Sequence, residues 1–156
     1  MKLVYSGGAP GISQLIKVAE SNIKAQARRY GRELQDQVKR ASRLWRTESK
    51  VKLSQPCAAT AGRVNSTGYP GRCSGDLERS LHYRTYARIR GKFPNYSVYS
   101  GAEAQFVPFK NAEGVDYGQK LNTEHPKLLG YKERIYKALQ DKIAQAIRSH
   151  DFKPFL

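Results

Sequence analysis

Acidic residues are scarce in this chain of 156 residues: 13 Asp and Glu stand against 28 Lys and Arg, a formal net charge of +15. Total charge is ordinary at 26%, so the imbalance is one of sign and not of amount. Cysteine is limited to Cys57 and Cys73, and histidine to His82, His125 and His150. The two cysteines form neither a CxxC pair nor a zinc spacing and the histidines are scattered, so no metal is expected. Two free thiols in a loop is the plain reading; a disulfide between them is the alternative if the protein ends up in an extracellular particle. No apolar run approaches the ~18 residues of a membrane span. The opening MKLVYSGGAPGISQ has no apolar signal core, so a protein made and used, or assembled, in a cytoplasm is expected. Catalytic signatures are missing as well: there is no GxSxG, P-loop, HExxH or properly flanked GxGxxG. Among Asp76, Glu78, Glu103, Glu113 and Asp116, only Asp76 and Glu78 have a spacing that forces them together. The glycine-rich YPGRCSGDL has no strand before it and no long helix after it, so it is a poor phosphate cradle. Neither an enzyme activity nor a cofactor is expected.

What is present argues for a folded chain. Ten Tyr, five Phe and one Trp sit among periodic apolar positions, and the length suits a single domain over 1–156. The period predicts a long helix over 11–50. Ile12, Ile16, Ala19, Ile23, Ala27, Tyr30, Leu34, Val38, Ala41 and Trp45 follow steps of three and four that hold one narrow seam on a nearly straight helix. Such a seam is longer than a small domain needs, so Tyr30, Leu34, Val38 and Trp45 are candidate subunit-interface residues; a helix packed wholly within its own chain is the alternative. Residues 54–75, broken by Pro56, Gly62, Gly68, Pro70, Gly71 and Gly75, read as a basic loop that orders on a partner or on DNA. Ser74 suits the start of a short helical turn over Asp76–Arg79.

Over 76–121 the pattern predicts a β-sheet region. Leu81, Tyr83, Thr85, Ala87 and Ile89 alternate with His82, Arg84, Tyr86, Arg88 and Arg90, an apolar face backed by a basic one. A second strand follows at Tyr96–Tyr99, ended by Gly101, and 114–121 reads as a short third strand or a turn. Pro126, Leu128, Tyr131, Ile135, Leu139, Ile143 and Ala146 predict a C-terminal helix over 126–149. The fold class expected is α+β, with both long helices on one face of a small antiparallel sheet of three or four strands. Residues 1–75 carry a net +10 and residues 76–156 a net +5. A field of that size attracts polyanions, nucleic acid first and membrane surfaces second; a merely solubilising surface is the bland alternative.

The order of a long helix, then Pro70 and Ser74-Gly75-Asp76-Leu77 with Ser80, then two strands, resembles the tail-completion or neck proteins of tailed bacteriophages. In that family a "Pro, small residue, Gly, x, Leu, x, x, Ser" stretch leads from helix to sheet. Val115-Asp116-Tyr117-Gly118-Gln119-Lys120-Leu121-Asn122-Thr123 looks like its "Tyr, x, x, x, Leu, Glu, x, Gly, Thr" segment, and His125-Pro126-Lys127-Leu128 like its "Arg-Pro-Phe-Leu" entry to the last helix. The resemblance spans residues 12–149; Asn122-Thr123 departs from the family's Glu-x-Gly-Thr, and 106–114 looks inserted. It implies a structural virion protein: a six- or twelvefold homo-oligomeric ring joining head to tail around the DNA channel, assembled in the host cytoplasm. The implied partners are connector, neck and tail-tube proteins and non-specifically contacted double-stranded DNA, with no membrane. On that reading Arg84, Arg88 and Arg90 are candidate DNA-channel residues. A free basic nucleic-acid-binding protein is the alternative.

Overall fold

A computed structural model of the chain describes residues 11–58, 63–110 and 112–152. In chain order its elements are α1 (Ile12–Ser54), α2 (Asp76–Ser80), a hairpin of β1 (Leu81–Lys92) and β2 (Asn95–Phe106), α3 (Tyr117–Glu124) and α4 (Tyr131–Ser149). The architecture is α+β: a long N-terminal helix and a C-terminal helix pack on a two-stranded antiparallel sheet. Among the described residues, no helix is long and apolar enough to cross a membrane.

α1 has 43 residues, about 65 Å at 1.5 Å per residue, and only its second half reaches the core. Leu34, Val38, Ala41, Trp45 and Leu53 are buried there. The Trp45 indole N–H donates to the Ile135 carbonyl at 2.8 Å, tying α1 to α4, and its ring meets Tyr83 edge-on at 6.1 Å, tying α1 to β1. Phe106 at the end of β2 packs on the Tyr131 and Tyr136 rings of α4. Burial pushes both tyrosine phenols up from their ordinary value; the Tyr131 hydroxyl donates to the Gly118 carbonyl at 3.0 Å and the Tyr136 hydroxyl accepts the Phe106 N–H at 3.3 Å.

Among the described residues the expected three or four strands are two, but each runs to 12 residues. The second strand does not stop at Gly101; it continues to Phe106, paired throughout from Leu81↔Phe106 to Lys92↔Asn95. The segment expected as a third strand forms α3 instead. Asp116 accepts the Gln119 N–H at 3.1 Å, satisfying a first-turn donor that a strand would not have presented. The final helix starts at Tyr131 and not at Pro126. Residues 125–130 form a turn that drives Leu128 into the core, and Gly130 leaves it at φ +67. Asn122 of α3 caps α4 from outside: its side-chain oxygen accepts the Lys132 N–H at 2.9 Å.

The basic loop is also more structured than its composition suggests. Pro56 pairs with Arg72, Cys57 with Asn65 and Val64 with Pro70, and Val64 and Asn65 are buried. Its residues 59–62 lie outside the described ones. The short helix forms, but its cap is Gly75, in the left-handed region at φ +82 with no side-chain cap bond, and Ser74 stands one residue earlier with its hydroxyl bonded to Asp76.

Candidate nucleic-acid interface

The pairing of β1 with β2 sorts the hairpin side chains into two sets. Leu81, Tyr83, Thr85, Ala87 and Ile89 pair with Phe106, Ala104, Ala102, Ser100 and Val98, and this face meets the helices. Coverage is full at Leu81 and thins along the strand, so that Ala87 and Ile89 stay exposed. Gly31 sets how closely the far end of the hairpin approaches α1: a Cβ there would lie 3.3 Å from Val98 Cγ1. Beyond that contact the two elements diverge into an open groove of about 660 Å³ between Ala25, Arg28 and Arg32 on α1 and Ala87–Ile89 on β1.

The opposite face carries the three arginines expected to share a surface, and the register does align them, since alternate residues of a strand point the same way. They are not equivalent. Arg84 faces Glu103 across the strands, and its Nε and Nη2 donate to one carboxylate oxygen at 2.8 and 2.6 Å. Both side chains are well exposed, so the pair adds little stability, but it cancels the Arg84 charge. Arg88 lies opposite Tyr99, with its guanidinium 6.0 Å from the Tyr86 ring; Arg90 lies opposite Ser97. The Tyr86 ring lies across Gly101, where a Cβ would collide with it. The projecting part of this face is therefore Arg88, Arg90 and Lys92 with Tyr86 and Tyr99: cations interleaved with aromatic surface.

The interface candidates on α1 need correction. Val38 and Trp45 are 0% and 1% exposed and Leu34 is 8% exposed, all three covered by the chain itself. Tyr30 is half-buried against Phe152, with ring centroids 5.1 Å apart. The seam that reaches beyond the domain is the amino-terminal part of the helix. Ile12, Leu15 and Ile16 are exposed there, Ile12 at 78%, and Ala19 and Ile23 are only partly covered. The sequence pattern is uniform along the whole helix, so it located the seam but not the point at which the chain's own core ends.

Asp76 is held by the Ser74 hydroxyl and by Arg79, which together lower its pKa, and Glu103 is taken by Arg84. Among the described residues, no cluster of three or more His, Cys, Asp and Glu is arranged to hold a metal ion. Cys57 and Cys73 are free thiols, the first partly buried and the second exposed; burial, with Cys73 nearby, raises the Cys57 thiol pKa. No protein family, curated protein or solved structure matches the chain significantly.

Proposed function

We propose that the protein is a structural ring component of the neck of a tailed phage, joining tail to head around the DNA channel and performing no catalysis. One observation carries the reading most: the apolar seam of α1 continues for several turns past the chain's own core, from Ile23 back to Ile12. Exposed apolar surface of that extent is costly unless it is covered. A helix end that docks on a different surface of the next subunit makes a head-to-tail contact, which closes into a ring when the rotation permits. The basic, aromatic-lined hairpin face supports the same reading, since phosphate contacts without base contacts let DNA pass without being gripped. The neck assignment itself rests on the order of the three sequence motifs, and the virion and host-cytoplasm localisation follow from it.

The test is light scattering after size exclusion, with electron microscopy of the main peak. Wild-type protein is expected to form, or add to, a cyclic oligomer. Ile16→Asp should stop assembly with an unchanged melting temperature. Val38→Asp should instead unfold the subunit, because it buries a charge in the core. A wild-type protein that stays monomeric at high concentration and binds duplex DNA tightly would favour the free nucleic-acid-binding alternative, for which the +15 charge is the supporting observation.

A further inference from the structure

α1 carries a second basic surface, which borders the hairpin groove only at Arg32. On its side away from the core, Arg29, Arg32, Asp36, Arg40, Arg43, Thr47 and Lys50 follow steps of three and four, so they form one nearly straight row. The buried residues Leu34, Val38, Ala41 and Trp45 lie on the opposite side of the same turns. Arg29, Arg32, Arg40 and Arg43 are exposed, and Lys50 is partly so. Among the described residues none of these five cations is in an ion pair. The Thr47 hydroxyl turns back to the Arg43 carbonyl, which leaves Asp36 as the row's sole acid. On the flank, Arg46 Nε is shielded from water without a hydrogen-bond partner.

We infer that this row is a docking surface for the phosphates of double-stranded nucleic acid. Five cations from Arg29 to Lys50 span 22 residues, about 32 Å of helix, against one phosphate per ~3.4 Å of axis on each strand of a duplex. The charge complementarity is direct, and the row's composition decides between polyanions. A protein partner needs an apolar centre in its interface, and the row has none; the nearest large exposed apolar side chains, Leu44 and Val51, lie to its side. The surface does not depend on the ring reading, since it would serve a monomer equally.

The test is fluorescence anisotropy of the full-length protein on a short duplex, between about 50 and 200 mM salt. Each phosphate contact contributes about 0.9 to the slope of log K against log salt. Arg29→Gln, Arg32→Gln, Arg40→Gln and Arg43→Gln combined should therefore reduce the slope by about 3–4, which is about 100-fold less affinity lost across that range. Circular dichroism should show an unchanged fold, because all four side chains are exposed. If the quadruple variant does unfold, the pairs Arg29→Gln/Arg32→Gln and Arg40→Gln/Arg43→Gln should each remove about 2 from the slope. An unchanged slope in the folded variants overturns the inference, most clearly if replacing Arg84, Arg88 and Arg90 by Gln removes the salt dependence instead. Equally tight, row-dependent binding of polyglutamate would reassign the surface to an acidic protein. Assembly is read separately by light scattering, so loss of the ring and loss of this surface are distinguishable.

Discussion

Replacing Asn65 by Ala should destabilise the protein more than a loop substitution normally does. Asn65 is 3% exposed and its amide joins three segments. The side-chain nitrogen donates to the Lys52 carbonyl at 2.7 Å and to the Pro70 carbonyl at 3.2 Å. Its oxygen accepts the Thr67 N–H at 2.9 Å, the Thr67 hydroxyl at 2.7 Å and the Tyr69 N–H at 3.2 Å. Lys52 belongs to the last turn of α1, whose carbonyls have no partner within the helix. Truncation removes all five bonds at once. The Thr67 hydroxyl and N–H belong to an exposed residue and can turn to water, but the Lys52 and Pro70 carbonyls and the Tyr69 N–H are left short of partners in a confined site. Three such losses at about 1 kcal/mol each give a destabilisation of about 3 kcal/mol. With a urea m-value of about 2 kcal/mol/M, the midpoint should fall by about 1.5 M. Trp45 is the only tryptophan and is fully buried, so its fluorescence follows unfolding without a label. Trypsin gives a second reading, with Arg63 and Arg72 becoming cleavable in the variant while wild type is protected there. A midpoint shift below about 0.5 M, near 1 kcal/mol, would refute the reasoning and leave 63–75 a loosely attached loop.

Gly91 has φ +106, and a Cβ there would collide with the Asn95 carbonyl; Gly91→Ala should cost about 1–3 kcal/mol, read as a lowered melting temperature, and an unchanged value would mean the turn rearranges freely. Thiol titration of native protein should show Cys73 reacting before Cys57, because Cys57 is partly buried and its thiol is harder to ionise. Fewer than two reactive thiols until a reductant is added would indicate a disulfide.

How legible each part was depends on whether its signal is periodic or relational. α1, the first strand and α4 announce themselves by apolar spacing, because burying one face requires that spacing wherever the element packs. α3 left a signal of another kind: Asp116 three residues before Gln119 is the pattern of a reciprocal helix start, and here Asp116 caps the Gln119 N–H. The glycines at 114 and 118 favoured a turn or strand reading, yet Gly118 sits inside the helix because a Cβ would press on Leu77 at 3.2 Å. Asn122 and Asn65 bond to groups ten or more residues away, and no local rule reveals such partners.

The charged surfaces follow the same division. That Arg84, Arg88 and Arg90 share a face is fixed by the two-residue period of a strand, but the pairing of Arg84 with Glu103 depends on register, and register depends on where the turn falls. With the turn at 93–94, Glu103 lands opposite Arg84 and the effective charge of that face moves outward to Arg88, Arg90 and Lys92. The row from Arg29 to Lys50 was readable from spacing alone, because it has the same steps as the apolar seam it opposes. Its meaning was not, since a basic row on a helix could equally have faced acids of α4 or the hairpin. The structure decides this point by what it packs against the helix: α4 and the hairpin cover the seam side, only Arg32 of the row borders the hairpin groove, and among the described residues no acid is ion-paired to the row's cations. The two basic surfaces therefore differ in kind. The hairpin face mixes cations with aromatic rings and a cancelled arginine, whereas the helix row is almost purely cationic, so replacing the row should change the salt dependence of nucleic-acid binding more than replacing the hairpin arginines.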